Sequence, residues 1–243
     1  MELVNRRILI TGGTSGIGLQ LVSMLSKQNE IIVLARDEHK LTQLKQQFND
    51  ITVFKCDLRN IDQTREVAEH IACKYQYLDM LVNNAAVQYC KKFTDADFHQ
   101  QLIIDEINTN FTSVCTLTLQ LLPTLLHQEK SIILNINSGL ALTPKTTSAV
   151  YCATKAALNN FTQSLRYQLE NTNIHVQQVF LPLVDTQMTK ARGHNKISSE
   201  NAAKQIIVGI KKNKVDHAFS KVSLLMCLLR LAPSLAKNIM KKY

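Results

Sequence analysis

A chain of 243 residues that is 45% hydrophobic has enough apolar material for one large globular domain, and it shows neither repeats nor low-complexity tracts. Its net charge of +9 is uneven: residues 1–189 carry 16 Lys/Arg against 17 Asp/Glu, whereas residues 190–243 carry 12 against 2. No aromatic-interleaved basic patch accompanies the excess, so a nucleic-acid partner is not expected; a solvated basic face, or attraction to phosphates or an anionic membrane surface, stays open.

The opening MELVNRRILITGG reaches a strand-like run and a glycine turn without the charged, apolar and cleavage regions of a secretory leader, and a cytoplasmic location is expected. Six cysteines, at 56, 73, 90, 115, 152 and 227, show no CxxC and no Cys/His ligand spacing, so neither disulfides nor a metal site are expected. Short β-branched runs then alternate with helical patterns. RRILITG precedes GLQLVSMLSKQ; EIIVLAR precedes HKLTQLKQQF; ITVFKCD precedes DQTREVAEHIACKY. LDMLVNNA leads into a long stretch ending at LHQ, SIILNINS into VYCATKAALNNFTQSLRYQLEN, and IHVQQVFLP is the sixth run. Six strands separated by helices predict right-handed crossovers and a doubly wound, Rossmann-type α/β sheet in one domain. Polar, turn-rich residues near 190 mark the start of a C-terminal extension, 190–243, expected to supply a lid and a tail.

In such a sheet, chemistry gathers at the carboxyl ends of the strands. After the first run comes TGGTSGIG, with a helix expected from Leu19; Gly12, Thr14, Ser15, Gly16, Ile17 and Gly18 are candidate dinucleotide contacts. Glycines allow the backbone to approach a pyrophosphate, and a helix N-terminus offers free N–H groups. The second run ends at Ala35 without the acid that holds an NAD ribose. Arg36 follows and suits a 2′-phosphate, which favours NADP(H) over NAD(H), although Asp37 is an alternative acid and Arg36 an alternative solvated cation. Asp57 and Leu58 end the third run, where Asp57 either accepts from an adenine amino group or caps a helix.

Asn84 and Ala85 end the fourth run, Ser138 the fifth, and Tyr151 and Lys155 stand one helical turn apart in SAVYCATKAAL. Together TGGTSGIG, NNAA, the Asn110 of INTNFTSVCTLT, NINSG and YxxxK resemble the classical short-chain dehydrogenase/reductase family, over about residues 6–190. SGLA, VYCATKAAL and PLVDT are similar to its DltE-like oxidoreductases. The resemblance implies interconversion of a carbonyl and an alcohol. Tyr151 would be the acid/base, Ser138 would fix the substrate oxygen, and Lys155 would tune the phenol and bond the nicotinamide ribose. Asn110 would hold a water that links Lys155 to solvent. Pro182, Val184 and Thr186 match residues beside the nicotinamide. Two departures stand out: Ala86 replaces a glycine, where a Cβ resists positive φ, and Leu183 replaces another. Taken singly, Ser138 also reads as a turn residue and Asn110 as a satisfied buried amide.

Leu140, Leu142, Leu183, Val184 and Met188 flank the expected site, which suits a lipophilic carbonyl or equally ordinary core packing. Analogy implies a homodimer or homotetramer paired through the helices near Asn110 and Tyr151. The rivals are a dinucleotide-binding sensor without turnover and a reductase held at a membrane by its tail. In that tail, Val222 to Ala232 is almost continuously apolar and too short to span a bilayer. One evenly apolar helix packed against protein is the expectation, with an interfacial helix as the alternative.

Overall fold

Strands β1 (Arg7–Thr11), β2 (Glu30–Ala35), β3 (Ile51–Lys55), β4 (Met80–Asn83), β5 (Ser131–Ser138) and β6 (Ile174–Leu181) are mostly Ile, Leu and Val runs. Their central members are buried on both faces, which a parallel sheet between two helix layers provides. The computed structural model describes residues 2–242. Its main sheet is parallel and seven-stranded, in the order β3-β2-β1-β4-β5-β6-β9, where β9 is Asp216–Ala218. Ile8 lies opposite Ile31 on one side and Met80 on the other. The chain winds outward from β1 to β3 and then returns to β4, so the switch point lies between β1 and β4.

Alternate strand residues feed two cores. Ile8, Ile10, Val33 and Val82 pack with helices α1 (Gly16–Leu25) and α2 (Glu38–Gln47) and with α7 (Ser199–Lys211). On the other face Leu9, Ile32, Leu81 and Ile133 meet α3 (Ile61–Lys74), α5 (Ser113–Leu126) and α6 (Ala149–Gln168). The long stretch before LHQ resolves into α4 (Gln100–Ile107), a π-helical turn over Asn108–Thr112, and α5.

Two expectations are corrected. Helix α1 begins at Gly16 rather than Leu19, because Ser15 is extended (φ −157°) and the helix starts inside the glycine turn. Within the extension 190–243, Ala202, Ala203, Ile206 and Ile210 of α7 lie in the core, and β9 completes the sheet. A second, two-stranded sheet pairs β7 (Val184–Asp185) with β8 (Ile197–Ser198). Finally, the apolar tail is two helices, α8 (Ser220–Leu231) and α9 (Pro233–Lys241), broken at Ala232 because the residue before a proline avoids the helical region.

Candidate active site

The carboxyl ends of β1 and β4 are tied together by one hydroxyl. Thr11 Oγ1 accepts the amides of Asn84 and Ala85, both at 3.0 Å, while Asn84 Nδ2 donates to Thr11 O at 2.9 Å. Gly12 (φ +69°) and Gly16 (φ +52°) adopt left-handed backbone that side chains resist. Ser15 caps α1 without a side-chain bond, so the first amides of that helix remain available. Gly18 has another reason to be glycine: a Cβ there would stand 2.3 Å from Gly12 O. It does not line the cleft, but lets α1 close onto β1.

The cleft, of about 680 Å³, runs from this turn across the strand ends. Gly12, Thr14, Ser15, Gly16 and Ile17 line it, as do Arg36, Asp57, Leu58, Asn84 and Ala85. Ser138, Tyr151, Lys155, Pro182, Val184 and Thr186 line its other end. Asn110 and Leu142 do not.

At the β2 end, Asp37 caps α2: its Oδ1 accepts Lys40 N at 3.1 Å. The adjacent Arg36 is exposed and has no hydrogen bond or ion pair among the described residues. Lys40, unnoticed in the sequence, lines the same end of the cleft. Asp57 does not cap α3, a role taken by Asn60. Its carboxylate is instead gripped by Arg59, with contacts at 2.5 and 3.0 Å, which hold it below the ordinary carboxylate range. The carboxylate expected to accept from an adenine amino group thus already has a guanidinium partner.

At the other end, α6 is entered through Ser148, a buried non-glycine residue in left-handed backbone (φ 61°) whose hydroxyl contacts Cys90 Sγ at 3.2 Å. One helical turn brings Tyr151 and Lys155 to the same wall. Ser138 Oγ accepts the Leu140 amide at 3.2 Å, and its hydroxyl favours the ionised form of the nearby Tyr151 phenol. Lys155 Nζ donates to Ile136 O at 2.9 Å and stands 5.8 Å from the centre of the Tyr151 ring. Burial pushes the Tyr151 phenol up, against the influence of Ser138, and lowers the Lys155 ammonium to about 8. These are the directions in the protein alone, whereas the tuning of Tyr151 by Lys155 is expected beside the positive ring of a bound nicotinamide.

Asn110 sits in the π-helical turn as a clamp. Its Oδ1 accepts Val87 N at 2.8 Å, while its Nδ2 donates to Val87 O at 2.9 Å and Thr154 Oγ1 at 3.3 Å. Its amide is spent on protein partners rather than directed at Lys155. Four positions before it, Glu106 is buried and accepts the amide of Tyr89 at 2.6 Å; burial raises its carboxyl to about 7. A carboxylate in a helical stretch reads as surface, so only the fold reveals it. Arg192, from the segment after 190, also reaches the cleft and donates to Gln88 Oε1 at 2.5 Å and Gln88 O at 3.1 Å.

The two departures are accommodated. Ala86 does not have positive φ, so its Cβ meets no backbone penalty. Leu183 lies over Gly193, where a Cβ would come within 2.5 Å of Leu183 Cδ2. All six cysteines are free, and the described residues contain no metal-ligating cluster and no helix long and apolar enough to cross a membrane. The uncapped helix, the absent Cβ atoms and the lack of an acid at Ala35 fit a phosphate-bearing dinucleotide.

Fold and cleft together define a Rossmann-type α/β domain with a glycine turn at one end and a Ser-Tyr-Lys cluster at the other. The family described as short chain dehydrogenase matches residues 6–197. The uncharacterized oxidoreductase DltE of Bacillus subtilis (strain 168) is 36% identical over 223 residues, covering 88% of each chain. The very-long-chain 3-oxoacyl-CoA reductase of Homo sapiens is 30% identical over 192 residues, which is 76% of this chain and 61% of the relative. A short chain dehydrogenase from Burkholderia cenocepacia J2315, solved in complex with NADP, superposes with a TM-score of 0.88 at 18% identity and covers 99% of both chains. The chain belongs to the short-chain dehydrogenase family of oxidoreductases.

Proposed function

We propose that this protein is an NADPH-dependent reductase that converts a lipophilic carbonyl to an alcohol. The observation that carries this reading is the meeting of Ser138, Tyr151 and Lys155 in the same cleft as the glycine turn, around a phenol whose burial keeps it protonated. A protonated phenol is a proton donor, as reduction requires. Bound NADPH supplies the hydride. Gly12, Thr14, Ser15, Gly16 and Ile17 would hold its pyrophosphate, Arg36 and Lys40 its 2′-phosphate, and Asn84, Ala85, Lys155, Pro182, Val184 and Thr186 its nicotinamide half. Tyr151 gives its proton to the carbonyl oxygen, Ser138 holds that oxygen in line, and solvent restores the phenol. Asn110 contributes by fixing Val87, and no proton path is assigned to its amide.

The preference for NADPH rests on Asp37, whose carboxylate is committed to capping α2 while Arg36 remains unpaired. Structural relatives are described as complexes with NADP or NADPH, which supports the same choice. Leu140, Leu183 and Met188 line the cleft with Val222, Leu225 and Met240, an apolar wall suited to a hydrocarbon-bearing substrate. Two relatives are named for fatty acyl-CoA and very-long-chain 3-oxoacyl-CoA reduction, which points the same way. We assign a second copy of the chain to the exposed Ile104, Ile107, Leu119 and Leu126 of α4 and α5. A panel of aldehydes, ketones and quinones assayed for NADPH oxidation tests the reading: no turnover with any of them leaves a dinucleotide-binding protein without chemistry.

A further inference from the structure

Helices α8 and α9 each have a protein face and an open face. Val222, Ala236 and Met240 are buried, and Leu225 and Met240 reach the cleft. Outside these contacts, Leu224 is 61% exposed, Leu231 76%, Leu235 53% and Ile239 49%. Leu224 and Leu231 lie two turns apart on α8, and Leu235 and Ile239 one turn apart on α9, so each helix presents an apolar stripe. Residues 219–242 contain Lys221, Arg230, Lys237, Lys241 and Lys242 and no Asp or Glu. Among the described residues, none of these five side chains takes part in an ion pair.

We propose that α8 and α9 dock this protein on an anionic lipid surface, lying in the interface with Leu224, Leu231, Leu235 and Ile239 inserted. Length requires the in-plane arrangement, because helices of 12 and 9 residues fall short of the roughly twenty needed to span a bilayer. Charge selects the occupant. A two-fold contact with a second copy would bring unpaired cations toward like cations with no carboxylate to receive them. An anionic headgroup layer supplies the missing partners, each cation there strengthening partition about five-fold. Because α8 and α9 also wall the cleft, docking places that wall at the lipid. The proposal goes beyond the reductase reading and does not depend on turnover.

The test is sedimentation of the full chain with phosphatidylcholine vesicles, with and without phosphatidylglycerol, at low and high salt. The protein is expected to pellet with the anionic vesicles and to be released by salt. Leu231→Asp with Leu235→Asp should reduce binding by at least about ten-fold, as expected for two exposed leucines withdrawn from an apolar phase. Lys242→Gln, beside the Leu235–Ile239 stripe, should reduce it about five-fold. Circular dichroism and NADPH titration check that the variants remain folded. A protein that fails to pellet, or a double variant that pellets like its parent, overturns the proposal. So does a double variant that loses a dimer in sedimentation velocity while vesicle binding is unchanged, since the stripe is then a subunit interface.

Discussion

The Asp37 carboxylate accepts the Lys40 amide at 3.1 Å and so closes the first turn of α2, one residue beyond the end of β2. That bond commits the acid to its own helix, and under the NADPH reading it leaves Arg36 to meet the 2′-phosphate. Arg36→Ala should therefore weaken NADPH ten- to hundred-fold, the equivalent of about 1.5–3 kcal/mol for a charge-assisted pair, and change NADH by much less. Fluorescence titration of both dinucleotides decides the matter. Equal losses for the two, or a parent that prefers NADH, would mean that Asp37 serves the ribose after all.

Tyr151→Phe removes the proton donor that we propose and keeps the ring packed between its neighbours. Turnover should fall by at least about 10², the contribution of general acid catalysis, while the NADPH dissociation constant stays within a few-fold. Single-turnover assays beside equilibrium binding give both numbers. Retention of most of kcat with any active carbonyl substrate would sink the assignment.

Glu106 makes folding depend on pH, and the sign follows from its raised pKa. Burial lifts the carboxyl from 4.5 to about 7, so the folded state keeps a proton that the unfolded chain releases. Its contribution to stability is complete below 4.5 and is lost as pH rises through about 7. Glu106→Gln retains an acceptor for the Tyr89 amide and removes the titration. Its Tm should fall less than the parent's between those two limits. Identical pH profiles for the two proteins would place the dependence elsewhere.

The alternation of strands and helices was legible because the central strands are buried on both faces, which forces unbroken apolar runs such as IIVLA. The Ser-Tyr-Lys cluster was legible from its motifs, since strand ends and a single helical turn place those residues without help from distant contacts. Strand β9 was not: Asp216–Ala218 is a three-residue edge strand with no apolar run. Glu106 was hidden for a related reason. Its burial comes from the chain around Tyr89 and the start of α6, which no local pattern around residue 106 announces. The tail misled in the opposite way, because composition alone made Val222 to Ala232 look apolar all round, whereas Pro233 and the docking of Val222 give it two distinct faces.

Gly18 provides a test of how the cleft is built rather than of what it holds. It does not line the cleft, yet an added Cβ would fall 2.3 Å from Gly12 O and 2.6 Å from Asn84 Nδ2. Gly12 O is backbone and cannot swing aside, and the Asn84 amide is committed to Thr11 O at 2.9 Å. The conflict is therefore relieved only by lifting α1 away from β1. Overpacking of this kind costs about 1–3 kcal/mol, which for a chain of this size lowers Tm by about 2–12 °C. The same displacement moves Gly16 and Ile17, so Gly18→Ala should lose NADPH affinity together with stability, although Gly18 itself does not line the cleft. Differential scanning fluorimetry with and without NADPH reads both effects. A variant with unchanged Tm and unchanged ligand-induced stabilisation would show that the glycine turn tolerates a Cβ there and that the close approach of α1 to β1 is not what shapes the site.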